Sequence, residues 1–157
     1  DPDLFKDGDG RLWLSYGSFW GGIRLTELNA DTLRPIGETR FIARRKSGIE
    51  APTLVRHGEW VYLFASFDLC CRGVDSSYNI RVGRARSVTG PYLDRDGKAL
   101  MDAGGTLLLS GGTRWKGPGH QDVVHHAYDA DHGGRPQLRI KRLSWSDDGW
   151  PVIPQEE

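Results

Sequence analysis

The sequence predicts an all-β fold built from repeated units of short strands. Glycine accounts for 21 of the 157 residues and tryptophan for 6, whereas methionine occurs once. This composition is typical of tight turns and aromatic-rich sheets rather than of helix bundles. Runs rich in Val, Leu, Ile and aromatic residues alternate with turns of Gly, Asp and Asn, as in strands joined by hairpins. Two long stretches also overlay on one another, which indicates an internal repeat.

The first repeat covers residues 1–35. It is predicted to contain a strand over residues 1–5, a turn over 7–10, a strand over 11–16, a loop over 17–22 and a strand over 23–28. The acidic turn Asp7-Gly8-Asp9-Gly10 is interpreted as a hairpin turn, because it lacks the bidentate glutamate that ends a calcium loop.

The second repeat opens at Glu50 and closes at residues 90–92. It is predicted to contain strands over 50–55, 60–65 and 80–85, with a turn over 57–58 and a loop through Asp75. A third, incomplete copy offers residues 120–123, 125–128 and a strand over 137–143, and it ends near Trp150. The constrained turn Gly117-Pro118-Gly119 is expected to precede this copy.

This repeat predicts a partial β-propeller. Four short strands in about 40 to 50 residues is the size of one propeller blade, so the chain would supply about two and a half to three blades. A β-sandwich is the alternative, since it also uses short strands with frequent turns. Asp1 and Glu50 both open their unit just before its first strand. A propeller would bring such equivalent positions together around its axis.

Charge and hydropathy narrow the classes of partner. Lys plus Arg number 21 and Asp plus Glu number 21, which gives no electrostatic reason to expect a nucleic acid or an anionic membrane. No apolar run approaches the roughly 18 to 20 residues that span a bilayer. A neutral substrate fits this balance better.

The adjacent residues Cys70 and Cys71 are the only cysteines. They cannot form a disulfide framework between distant segments, and they lack the separated pairs of a structural zinc site. We interpret them as small, half-buried loop residues, with a redox role as the alternative.

Glu50 and Asp1 are the candidate catalytic carboxylates. Glycoside hydrolysis needs one carboxylic acid to protonate the leaving oxygen and a second carboxylate to activate water or attack carbon. The neighbours of Glu50 are Ile49, Ala51 and Pro52, and such an apolar context favours the protonated form that acid catalysis requires. Asp1 is expected to hold Glu50 by charge and a hydrogen bond. The alternative is that both are surface acids at turn ends.

Two further segments have a functional and a structural interpretation. The loop with Ser18, Phe19 and Trp20 could stack on a sugar, since aromatic rings cover the apolar faces of carbohydrates, or it could be a packed hairpin corner. His120 could ligate a cation or orient its water, or it could be a hydrogen-bonded core or surface histidine. No role is assigned to the remaining candidates, His125, His126 and His132.

Six segments in order resemble one known family: residues 1–5, 16–23, 49–52, 66–74, 117–120 and 126–130. The chain resembles the arabinanases of glycoside hydrolase family 43, especially the endo-acting enzymes on α-1,5-linked arabinan. The resemblance implies a five-bladed β-propeller that hydrolyses arabinan or arabino-oligosaccharide with inversion. It implies no organic cofactor, no nucleic-acid or membrane partner, and no protein partner.

The resemblance also assigns roles. Glu50 matches the general acid, and Asp1 matches a third carboxylate that tunes the proton affinity of the acid and positions it. Ser18, Phe19 and Trp20 match a stretch that contacts the sugar. His120 matches a histidine associated with a cation, commonly calcium, near the axis.

Two departures from the family limit these expectations. The family's general base lies upstream of anything in this chain, and the family domain is longer. Residues 1–157 are therefore expected to form the later blades of a propeller whose N-terminal blades are absent, and activity of this chain alone is doubtful. A noncatalytic carbohydrate-binding or inactive fragment is the alternative. Between Asp122 and His125, the residues Val123-Val124 join two motifs directly, so the last blade is expected to be shortened.

Two locations and two modes of action agree with the sequence. An arabinan substrate implies a secreted parent protein, although enzymes that act on imported oligosaccharides would work inside the cell. The sequence does not separate endo from exo action.

Overall fold

The all-β prediction is confirmed. The computed structural model describes residues 1–121 and 125–155. Within these ranges the strands form antiparallel sheets: two of four strands, one of three and one of two. Only short 3-10 turns interrupt them, and none of the described helices has the length and apolar character needed to cross a membrane.

The first sheet contains β1 (Asp3–Lys6), β2 (Leu12–Ser18), β3 (Gly22–Leu28) and β4 (Pro35–Ala43) in sequence order. The first three strands lie where the pattern predicts them. The fourth was missed, because the unit was expected to close at Pro35, where β4 instead begins. Most of β4 is exposed, so it lacks the apolar alternation that reveals a half-buried strand.

The second sheet contains β5 (Ile49–His57), β6 (Trp60–Phe67), β7 (Asn79–Ala85) and β8 (Thr106–Leu109). The expected end of this unit at residues 90–92 is wrong. That segment is a turn with a cis Gly90–Pro91 peptide, and an excursion with a 3-10 turn at Leu100–Asp102 follows before β8 completes the sheet.

Strand β6 shows how the second sheet is buried on both faces. Val61, Leu63, Ala65 and Phe67 belong to a core shared with the first sheet. The alternate residues, such as Tyr62 and Phe64, belong to a second core on the opposite face. Because successive side chains of a strand point to opposite faces, this continuous apolar run is buried on both sides.

The third sheet has the spatial order β11, β10, β9, formed by β9 (Trp115–Gly119), β10 (His125–Asp129) and β11 (Arg135–Arg139). Two expectations are corrected here. Residues 117–119 lie inside β9 rather than in a turn, and the strand predicted over 137–143 ends at Arg139. The expected shortening at Asp122, Val123 and Val124 lies outside the described residues.

A C-terminal hairpin of β12 (Ser144–Trp145) and β13 (Pro151–Val152) covers the second face of the second sheet. The Trp145 ring stacks on His57 with centroids 3.9 Å apart. Trp150 is only 4% exposed, and the Tyr62 hydroxyl donates a hydrogen bond to the carbonyl of Gly149. This hairpin therefore supplies the apolar surface that the second core requires.

The two cysteines lie in the loop between β6 and β7. Cys70 and Cys71 are joined to each other by a disulfide. They form no framework between distant segments, as predicted, but the bond between neighbours was not expected. Cys70 is half-buried and Cys71 is exposed.

Candidate active site

The first strands of the three larger sheets meet at a central cavity of about 220 Å³. Asp1 and Asp3 line it from the start of β1, Ala51 and Thr53 line it from β5, and His120 lines it just after β9. The main-chain N–H of Leu54 donates a 2.8 Å hydrogen bond to the Asp3 carboxylate, which ties β5 to β1. Residues at or next to the start of the first two repeats, Asp1 and Ala51, therefore line one cavity together with His120.

Asp1 pairs with His120 rather than with Glu50. Asp1 Oδ1 lies 3.4 Å from His120 Nε2. The backbone of His120 is fixed in turn, since its N–H donates a 2.8 Å hydrogen bond to Ser66 Oγ. Across residues 1–121 and 125–155, no hydrogen bond or ion pair joins Asp1 to Glu50. The expected direct hydrogen bond between the two carboxyl groups is therefore not formed.

The partner of Glu50 is Tyr78, which the sequence analysis did not identify. Tyr78 Oη donates a 2.7 Å hydrogen bond to Glu50 Oε1. Tyr78 is 1% exposed, and burial raises the pKa of its hydroxyl well above the usual value, with the neighbouring Glu50 acting in the same direction. Tyr78 therefore keeps its proton and acts as the donor, while Glu50 remains partly exposed.

The backbone next to Glu50 is distorted and held in place. The pairing of β5 with β6 shifts register between Glu50 and Thr53, and Ala51 has a left-handed φ of 49°. Gln121 Nε2 donates a 2.7 Å hydrogen bond to the Ala51 carbonyl. The Gln121 side-chain oxygen accepts a 2.7 Å bond from Ser66, the residue opposite Glu50 in the ladder. Such bulges re-aim side chains beside active sites.

The aromatic loop contacts the segment that leads into Glu50. The Phe19 carbonyl accepts a hydrogen bond of 3.3 Å from Ile49 N–H, and the Phe19 ring lies directly against Gly48. Trp20 is 84% exposed and contacts Phe19 edge to face, with centroids 4.7 Å apart. Ser18 Oγ accepts a bond from Gly21 N–H within the turn. The loop thus packs as a hairpin corner through Phe19 and presents Trp20 to solvent.

The model of glycosyl hydrolases family 43 matches residues 1–151. The chain belongs to glycosyl hydrolase family 43. It is 50% identical over 160 residues to the extracellular endo-α-(1→5)-L-arabinanase 1 of Bacillus subtilis, covering 96% of this chain and 49% of that protein. It is 41% identical over 180 residues to the extracellular exo-α-(1→5)-L-arabinofuranosidase ArbA of Cellvibrio japonicus, covering 100% of this chain and 52% of that protein.

Solved structures of this glycosyl hydrolase family superimpose closely on the chain. The GH43 endo-arabinanase from Bacillus licheniformis gives a TM-score of 0.93 at 52% identity, covering 97% of this chain and 56% of that one. The Cellvibrio cellulosa α-L-arabinanase complexed with arabinohexaose gives a TM-score of 0.90 at 42% identity, covering 98% of this chain and 56% of that one. The chain spans about half the length of the curated relatives it matches.

The imidazole ring of His126 lies against Tyr78, the hydrogen-bond partner of the candidate acid. The ring of His126 packs over Tyr78 with centroids 6.0 Å apart, and its Nε2 is buried without a hydrogen-bond partner among the described residues. Burial lowers the pKa of His126, and the neighbouring His120 and His125 act in the same direction. A neutral His126 therefore packs against the ring of Tyr78, a role that the sequence did not suggest.

His132 belongs to a structural cluster at the end of β10. Asp129 is buried and accepts hydrogen bonds from Arg114 at 3.0 and 3.1 Å. His132 Nδ1 lies 2.9 Å from the same carboxylate. The bonds from Arg114 hold the pKa of Asp129 well below its usual range, with a further contribution from His132.

Within residues 1–121 and 125–155, no group of three or more His, Cys, Asp or Glu side chains converges as a metal-binding cluster would. Asp1 and His120 contact each other in the central cavity instead. In the turn at residues 7–10, Asp7 accepts bonds from the main-chain N–H of Asp9 and Arg11, as expected of a hairpin turn. A cation at His120 stays a prediction.

Proposed function

We propose that the protein hydrolyses α-1,5-linked L-arabinan or its oligosaccharides with inversion, and that residues 1–157 form the later blades of a five-bladed β-propeller. The single observation that supports this function best is the candidate acid Glu50, which buried Tyr78 holds by a hydrogen bond and which directly precedes Ala51 in the wall of the cavity that contains Asp1. The sequence identity of 50% to an endo-arabinanase gives independent support.

Glu50 acts as the general acid. Tyr78 donates to Oε1, so the catalytic proton resides on the other oxygen, Oε2, which has no hydrogen-bond partner among the described residues. That proton passes to the glycosidic oxygen as the bond to the anomeric carbon breaks. Tyr78 thereby determines which carboxyl oxygen delivers the proton and limits rotation of the carboxyl group.

Asp1 tunes Glu50 from the cavity that Ala51 and Pro52, the residues directly after the acid, also line. A carboxylate near a second carboxyl group disfavours ionisation of that group, which keeps it protonated for acid catalysis. The contact with His120 fixes the Asp1 side chain in the cavity. Asp1 therefore acts on the acid through charge, without a direct hydrogen bond.

Inversion also requires a general base that activates water on the opposite face of the sugar. In inverting glycosidases the two carboxyl groups are about 6.5 to 9.5 Å apart, which leaves room for that water. We assign this base to a part of the protein outside residues 1–157. Ser18, Phe19 and Trp20 supply the sugar-contacting surface, chiefly through the open face of Trp20.

The named relatives also bear on substrate and location. A related structure is described as a complex with arabinohexaose, which supports an arabinan chain as the ligand here. Two relatives are described as extracellular, so we place the parent protein outside the cell. The alternative of a noncatalytic binding module gains no support from these relatives, which are named as arabinan-degrading enzymes.

The test compares this chain with the same chain extended upstream to the full length of its relatives. Reducing-sugar release from linear α-1,5-arabinan is expected only from the extended protein. In that protein, Glu50→Gln is expected to lower kcat/KM about 10²- to 10⁴-fold, the usual contribution of a general acid. The loss should be much smaller on an aryl arabinofuranoside, whose leaving group needs no proton. Unchanged arabinan hydrolysis by Glu50→Gln would refute the assignment.

A further inference from the structure

A second, larger groove lies beside the aromatic loop. It encloses about 770 Å³, which is within the usual size of about 300 to 1,000 Å³ for ligand sites. One wall is formed by residues 20–22 and the other by residues 44–47 and 101–103. We name it the cationic groove. Residues 44–48 lead directly into β5, the strand that carries the candidate acid Glu50.

The groove carries an excess of positive charge. Arg44, Arg45 and Lys46 line it together with Asp102. Arg45 is already neutralised, since its Nη2 lies 2.9 Å from the Asp68 carboxylate. This leaves the side chains of Arg44 and Lys46, which make no hydrogen bond or ion pair with any described residue. Two cations therefore face one carboxylate, Asp102.

The groups that could hold a ligand are positioned in advance. The Arg44 guanidinium lies 4.1 Å from the centroid of the Phe41 ring, a cation–π contact that leaves its N–H groups available. Trp20 is exposed but supported edge to face by Phe19. Gly22 has a φ of 81°, and a Cβ atom there would lie 3.0 Å from Arg44 Cγ. The aromatic loop and the cationic segment are thus in direct contact.

We propose that the cationic groove binds a sugar chain that carries a carboxylate, that is, a uronic acid residue. An aromatic face stacks on the apolar face of a sugar ring, and a guanidinium forms paired hydrogen bonds with a carboxylate. A neutral sugar would offer no opposite charge to Arg44 and Lys46. This inference rests on the proposed function in one respect, since Trp20 would contact both the arabinan and the acidic sugar linked to it.

The test measures binding of trigalacturonic acid to the full-length protein by titration calorimetry, beside the neutral arabinotriose. Arg44→Gln and Lys46→Gln are each expected to weaken trigalacturonic acid binding about two- to fivefold, as for one exposed charged contact. Added salt should weaken it as well. Lys6→Gln is the matched control, because exposed Lys6 lies at the end of β1 distant from the aromatic loop, and it should bind as the wild type does.

The Glu50→Gln variant separates this inference from the proposed function. It is expected to lose arabinan hydrolysis and to keep trigalacturonic acid binding. The inference would be overturned by an absence of binding, by equal binding of Arg44→Gln, Lys46→Gln and wild type, or by an equal loss in Lys6→Gln. Arg44→Gln also removes a ring contact with Phe41. Lys46→Gln tests the charge alone, because Lys46 makes no ring contact within the described structure.

Discussion

Tyr78 donates a 2.7 Å hydrogen bond to Oε1 of Glu50 from a site where only 1% of the tyrosine is exposed. The ring is confined by the main chain of β9, since a Cβ atom on Gly119 would lie 2.1 Å from Tyr78 Cδ1. The third sheet therefore positions the tyrosine that orients the candidate acid in the second sheet.

Tyr78→Phe is expected to lower kcat on arabinan about tenfold, because a hydrogen bond to a carboxyl group that is worth about 1.4 kcal/mol is lost. KM should stay nearly unchanged, because the hydroxyl bonds Glu50 and not the substrate. Steady-state kinetics on arabinan would measure kcat and KM separately.

Tyr92→Phe is the matched control for that variant. Tyr92 is also buried, and its hydroxyl bonds the Val88 carbonyl away from the cavity. Tyr92→Phe should lose some stability but keep the wild-type kcat. A Tyr78→Phe variant with the wild-type kcat would contradict the positioning role.

Gly48→Ala is expected to disturb the sugar-contacting loop. Gly48 has a φ of 100°, and an added Cβ would lie 2.1 Å from Phe19 Cε2. The substitution should displace Phe19 and Trp20 and raise KM for arabinan, in addition to a backbone cost of about 1 to 2 kcal/mol. Gly37→Ala is the control, since Gly37 also has a positive φ but an added Cβ meets no atom within 4 Å. If both variants raise KM equally, the contact with Phe19 is not responsible.

Gln121→Leu is expected to destabilise the protein by about 2 to 6 kcal/mol. The buried Ala51 carbonyl and the Ser66 hydroxyl would each lose the partner that Gln121 supplies, at about 1 to 3 kcal/mol for each unsatisfied group. Because Ala51 adjoins the acid, kcat should fall more than KM rises. Urea unfolding and steady-state kinetics would measure these effects. Gln137→Leu is the control, since Gln137 lies on the exposed strand β11, and it should change neither the stability nor the kinetics. A Gln121→Leu variant as stable as wild type would refute the hydrogen-bond network.

Asp129 should make the protein sensitive to acid. Its pKa is held low in the folded state chiefly by the hydrogen bonds from Arg114. An aspartate in the unfolded chain has a pKa of about 3.9. The stabilisation is therefore complete above about pH 4 and is lost as the pH falls towards the lower folded-state pKa. The urea concentration at the unfolding midpoint should therefore decrease as the pH is lowered below about 4.

Asp129→Asn should be less stable at neutral pH and should show a flatter decline in acid. Asp31→Asn, in an exposed loop, is the control and should follow the wild-type curve. If the urea midpoint of Asp129→Asn decreases in acid as steeply as that of wild type, another group governs acid unfolding.

The sequence predicted features that depend on short segments. Alternating apolar residues and Gly-rich turns located β2, β3 and β6 closely. The equivalent positions of Asp1 and Glu50 drew attention to the segment after Glu50, where Ala51 lines the same cavity as Asp1. It failed at β4 and β8. The first is mostly exposed and the second follows a long excursion, so neither has a periodic pattern that short-range analysis detects.

By itself, then, the sequence determined the all-β class, the repeat, the family and the identity of the candidate acid, because propensities, turns and motifs act within a few residues. Only the tertiary structure decided which side chains meet. Glu50 and Tyr78 are 28 residues apart, Ala51 and Gln121 are 70 apart, and Tyr62 and Gly149 are 87 apart. The packing of one sheet against the next brings these pairs together, and no local pattern specifies that packing.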